Sequence, residues 1–180
     1  MLRRQLTAAA VVVSLCAVPA QAQLALTISG GATVPLGDYD KYASTGWIGT
    51  VGLMKPVGGK GLSLGGDVFY GENPHSDIDG DKSRLSGLLG TLRWRFGDAK
   101  KANVFVDGNV GYMDHTYKSE KFPSLEGSDD GVAYGAGVGI ELPKGRMNWY
   151  LLARYLAADI KDATTSLAPI TLGVSIPFAK

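Results

Sequence analysis

Pro169-Ile170-Thr171-Leu172-Gly173-Val174-Ser175-Ile176-Pro177-Phe178 sets Ile170, Leu172, Val174, Ile176 and Phe178 on one face of an extended chain, and Thr171, Gly173 and Ser175 on the other. Side chains alternate across a strand, so this period of two reads as a β-strand with one oily and one polar side. The same period recurs upstream. Leu24, Leu26 and Ile28 oppose Thr27 and Ser29, and Val104, Val106, Val110 and Tyr112 oppose Asp107, Asn109 and Gly111. Eight such segments, bounded by Gly, Pro, Asp, Asn or Lys clusters, predict strands over 24–33, 46–55, 62–71, 84–96, 103–113, 132–142, 147–157 and 169–178. A charged or glycine face is unlike the two-sided apolar strands of a parallel sheet.

The connections between these segments alternate in length. Short turns fall at 57–61, 97–102 and 143–146, whereas the links 34–45, 72–83, 114–131 and 158–168 are longer and mostly polar. Long and short connections therefore gather at opposite ends of the sheet, as in transmembrane barrels with short periplasmic turns and longer outward loops. An even number of strands returns the C-terminus to the side of the N-terminus. With no helical apolar stretch of about 20 residues after Val18, any crossing of a membrane has to be made by strands.

Aromatic side chains on the oily face predict two girdles. Trp47, Tyr70, Tyr112, Tyr134 and Tyr155 fall near the long-link ends, and Trp94, Phe96, Trp149 and Phe178 near the short-turn ends. Aliphatic residues such as Leu26, Val51, Val68, Leu92, Val106, Val138, Leu151 and Val174 fill the band between. That is the outer surface of a membrane barrel, with aromatics at both water interfaces. Aromatics favour any sheet, but a general preference does not sort them into two belts.

The opposite face carries Asp67, Arg93, Arg95, Asp107, Asn109, Glu141, Asn148 and Arg154. As the core of a soluble sandwich it would be poor, because a buried charge costs several kcal/mol unless it is paired. As the lumen of a narrow barrel it is reasonable, and the levels of these residues predict an internal polar network of Asp67, Arg93, Arg95, Asp107, Glu141 and Arg154. Inward glycines at 65, 87, 111, 135, 137 and 139 leave room for the long arginines.

Arg3 and Arg4 precede an apolar run from Ala8 to Val18, which ends at Ala20, Gln21 and Ala22. This predicts a cleaved signal peptide over residues 1–22 and a single barrel domain over 23–180. The only cysteine, Cys16, lies in the signal, so no disulfide is expected in the mature chain. Loss of Arg3 and Arg4 turns the formal charge of +1 into −1, which leaves no basic field for nucleic acid.

The stretch Gly30, Gly31, Ala32, Thr33, Val34, Pro35, Leu36, Gly37, Asp38, Tyr39 resembles the first strand and loop of the small OmpA- and OmpX-like outer membrane barrels, and the resemblance extends over residues 23–180. The run ending at Phe178 is similar to the terminal aromatic signal of that group, with Pro177 before it and Ala179 and Lys180 after it. The resemblance implies an eight-stranded antiparallel up-and-down transmembrane β-barrel in the outer membrane. It also implies contact with outer membrane lipid and lipopolysaccharide, and insertion by the barrel assembly machinery through the C-terminal strand. The resemblance is to a bare barrel, with no C-terminal peptidoglycan-binding domain expected.

Little in the sequence points to chemistry. The two histidines, His75 and His115, are expected in outward loops, without partners at metal-ligand spacing. His115 beside Asp114, with Ser119 and Ser124 nearby, sketches a hydrolase constellation, but catalysis needs those groups held in fixed geometry. Asp77, Asp79 and Asp81 alternate as in a calcium loop, yet Gly80 comes early and Lys82 stands where glycine is needed. The expectation is a non-enzymatic surface-interaction scaffold with four outward loops, no cofactor and no metal. A lipopolysaccharide-modifying barrel enzyme is one alternative. The other is a soluble lipocalin-like barrel with an apolar ligand, which would need the aliphatic band inside.

Overall fold

The computed structural model describes residues 24–57, 61–75, 80–98, 101–119, 121, 124, 126–160 and 163–178. The expected signal peptide lies outside the described residues, as do Asp77 and Asp79. Eight strands follow one another: β1 (Ala25–Leu36), β2 (Gly46–Pro56), β3 (Leu62–Pro74), β4 (Lys82–Phe96), β5 (Asn103–Lys118), β6 (Gly127–Lys144), β7 (Met147–Ile160) and β8 (Ala163–Pro177). A 3-10 helix, Gly37–Lys41, sits in the link between β1 and β2. Each strand pairs antiparallel with its successor, and β8 closes on β1 from Ala25↔Pro177 to Leu36↔Ser166. Closure satisfies the backbone of every strand by its neighbours, which is the condition for crossing lipid with strands.

The strands run further than the oily face alone suggested. Thr116 and Lys118 extend β5, Ser128 and Asp130 extend β6, and Ile160 pairs with Ala163 where 158–168 reads as a long loop. In the β5 and β6 extensions both faces turn polar, so the alternation survives while its apolar half disappears; in β7, Ala158 and Ile160 stay in the buried cluster. The opposite end is tight. Gly145, at φ +66°, opens the turn between β6 and β7, a backbone geometry that favours glycine.

The outer wall is apolar over its middle: Val51, Val68, Leu92, Val110, Val138, Leu151 and Leu172 are all exposed, Val110 at 63 %. A continuous apolar band of this kind needs lipid or a partner to cover it. The lumen is divided. Its turn-end half holds the charges, with a small patch of Phe105, Tyr150 and Leu152. Its link-end half is a packed apolar cluster that includes Ile48, Phe69, Leu85, Leu89, Met113, Leu156 and Leu167. The inner wall is thus not polar along its whole length. Leu85, Leu89 and Met113 point inward because they share strand parity with Arg93 and Asp107.

Candidate functional site

Three arginines and three carboxylates meet in the turn-end half of the lumen. Asp107 on β5 accepts hydrogen bonds from Arg93 of β4 at 3.2 Å and from Arg154 of β7 at 3.1 Å, and its side chain is fully buried. Arg154 also stands 3.7 Å from Asp67 of β3. Asp67 accepts a 2.9 Å bond from Thr91, whose hydroxyl accepts another from Asn109. One level closer to the turns, Glu141 of β6 takes Arg95 at 3.0 Å and the Asn148 amide at 2.8 Å. The six charges cancel. Arg93 further lies 4.0 Å above the Phe105 ring, a cation–π contact shielded from water. Phe105 has space for this because Gly139 lies beneath it, where a Cβ would collide with the ring.

A cavity of about 20 Å³ borders this cluster, lined in part by Asp67, Arg93 and Arg154, with room for roughly one water molecule. The charges therefore face each other rather than a channel.

Trp47, Tyr70, Tyr112, Tyr134 and Tyr155 stand exposed on the outer wall toward the link end, and Trp94, Phe96, Trp149 and Phe178 toward the turn end. Trp47 and Tyr70 lie 5.6 Å apart, and Trp94 stacks on Phe96 at 5.3 Å. Between the belts the wall is aliphatic.

Of the two histidines expected in outward loops, His75 lies in the link between β3 and β4, as expected, and His115 does not. His115 lies within β5, facing inward, and His75 follows β3 directly, bridged to Ala43. Both converge on Ser83 of β4, whose hydroxyl lies 2.9 Å from His75 Nε2 and 2.8 Å from His115 Nε2. Ser119 hydrogen-bonds Asp81, and with the Tyr117 hydroxyl it holds that carboxyl below its usual range. Tyr39 from the 3-10 helix closes the mouth, 1 % exposed, its ring edge-on to His115 at 5.7 Å. Burial pushes the Tyr39 hydroxyl up to about 12, against a lowering bond to Ser83.

A serine beside an imidazole is half of a nucleophilic pair, but Ser83 is 0 % exposed and its backbone is paired with Asn73 and Tyr117. Substrate has no approach to it in this closed form. Among the described residues, no three His, Cys, Asp or Glu side chains stand where they could hold a metal ion. Carrying strand parity two residues past the oily segments would have set Ser83 and His115 on one wall. The place of His75 depends on a link that folds back, which periodicity does not encode.

Residues 8–178 match the family model described as Outer membrane protein beta-barrel domain. No curated protein matches the sequence. Among solved structures, the chain is similar to neisserial surface protein A, at a TM-score of 0.66 and 9 % identity. It is also similar to the Ail attachment invasion locus protein of Yersinia pestis (0.55, 12 %) and to the N-terminal β-barrel domain of Pseudomonas aeruginosa OprF (0.53, 14 %). Each likeness covers 88 % of this chain and 100 % of the other.

Proposed function

The chain belongs to the outer membrane protein beta-barrel domain family and is an integral protein of the outer membrane; from that premise, we propose that it performs no chemistry of its own and acts as a rigid scaffold, holding four outward connections for interaction at the cell surface. The observation that carries this reading is the filled lumen. Ion pairs occupy one half and a close-packed apolar cluster the other, with Tyr39 over the mouth. An eight-stranded cylinder is about wide enough for its side chains, so a filled interior leaves the outward end for specific contacts.

In this reading the six lumen residues Asp67, Arg93, Arg95, Asp107, Glu141 and Arg154 are structural, and the two aromatic belts set the depth of the barrel among lipid and lipopolysaccharide. The run of β8 to Phe178 is the segment offered to the barrel assembly machinery. Lys118 paired with Glu126 at 2.5 Å, and the exposed Ser128 and Asp130, stand on the hairpin of β5 and β6 and give it a polar outward surface.

Reconstitution tests the scaffold reading. Vesicles carrying the protein should release no more small solute than empty vesicles, and purified protein should leave lipopolysaccharide acyl chains intact. Steady conductance, or deacylation lost in His115→Ala, would replace the scaffold by a pore or an enzyme.

A further inference from the structure

We propose that the link between β1 and β2 is an acid-released lid, latched over the lumen by Tyr39 and Tyr42 against His75 and His115, which share the Ser83 hydroxyl. Its physical basis is the charge that two imidazoles would bring to one shared, buried hydroxyl. A serine hydroxyl has one hydrogen to give and two lone pairs, and a neutral imidazole presents one donor and one acceptor nitrogen. With both Nε2 atoms on one oxygen, at 2.9 and 2.8 Å, at most one ring accepts the serine proton. Once both rings are protonated the two lone pairs can still take both N–H groups, but two positive charges then stand on one small buried hydroxyl, beneath the rings of the lid.

Charged and titratable groups approach this pair from every packed element. The lid brings Tyr39 to His115 and Tyr42 to His75, the latter at 5.6 Å. The stretch before β4 brings Asp81, which attracts His75, with Lys121 also near that carboxylate. From β5 come Asp114, and Tyr117 with its ring 5.1 Å from His75; from β6 comes Asp129, opposite His115 in register. Burial, and next the charge of His75, hold His115 below its ordinary value, while Asp114 and Asp129 pull it up. These residues stand beyond the outer aromatic belt, outside the lipid.

The sign follows from that depression. Between the ordinary imidazole value, near 6.5, and the tyrosine range, His115 is neutral in closed and open mouths alike and its titration changes nothing. As pH falls below it, an opened His115 takes its proton before a closed one, so acid favours opening. The β2 end of the link is tied through backbone and amide groups that do not titrate: Ser44 N–H donates to Pro74 at 2.7 Å, the Asn73 amide donates to Ser44 at 2.8 Å, and Ala43 is bridged to the His75 backbone. The 3-10 helix therefore swings while that end stays fixed, lifting Tyr39 from His115.

A spin label on the exposed position 40 reads this motion, using a Cys16→Ser/Asp40→Cys chain in phospholipid vesicles. Between pH 8 and pH 4.5 the mobile component should grow, with its midpoint below about 6.5. The growth should vanish in His75→Gln/His115→Gln. Single His115→Gln, which removes the buried imidazole and keeps His75 on Ser83, should remove most of the growth. Spectra of the unaltered histidine pair that ignore pH, a transition of equal size in the double variant, or an unchanged transition in the single variant each overturn the proposal.

Discussion

At the turn end of the lumen three arginines and three carboxylates neutralise one another; at the link end Leu85, Leu89, Met113, Leu156 and Leu167 pack with no polar partner. Both halves fill a cylinder of one width, but they fail differently. In the charged half each group depends on a named partner, and losing one member strands the others in a dry interior. In the apolar half each group depends on volume, and losing one leaves a hole that its neighbours partly close.

The largest expected effect tests the charged half. Asp107→Ala leaves Arg93 and Arg154 without their shared carboxylate and should destabilise the barrel by about 3–5 kcal/mol, measured by urea unfolding in lipid vesicles. The triple change Arg93→Met/Asp107→Leu/Arg154→Met removes the stranded charges as well, so it should recover much of that loss. If the triple variant is as unstable as Asp107→Ala, the loss comes from packing and the contrast between the halves breaks down.

In the apolar half, Leu85→Ala should cost about 2–5 kcal/mol in the same assay, without dependence on salt. On the outer wall, Leu151→Arg places a charge in the lipid band and should cost about 2–4 kcal/mol, falling as the site is moved toward either belt. The smallest of these effects is Gly139→Ala. Its methyl group meets Phe105 and the Leu151 carbonyl, and the expected cost is about 1–3 kcal/mol, with displacement of Arg93 from the ring visible in the Phe105 chemical shifts.

The two halves were also unequally legible. Charges on an inward parity stand out in sequence, so Arg93 and Asp107 could be set on facing levels of neighbouring strands. Leu85, Leu88, Leu89 and Leu92 run along β4 on both faces, so only their parity with Arg93, and not their own chemistry, sets Leu92 toward lipid and Leu85 and Leu89 toward the lumen. Strand ends were underestimated because Thr116, Lys118, Ser128 and Asp130 keep the period of two after the oily face has ended. The histidine pair was hidden for a different reason. His75, Ser83 and His115 come from three elements, brought together by closure of the sheet and by a link that folds over it.

Collision accessibility of spin labels on adjacent positions of β5 and β7 measures directly which wall faces lipid. Labels at Val106 and Leu151 should be relaxed by oxygen and shielded from a water-soluble nickel chelate, whereas labels at Phe105 and Leu152 should be shielded from both. Nickel access at Val106 or Leu151, or strong oxygen access at Phe105, would mean that the aliphatic wall does not face the acyl chains.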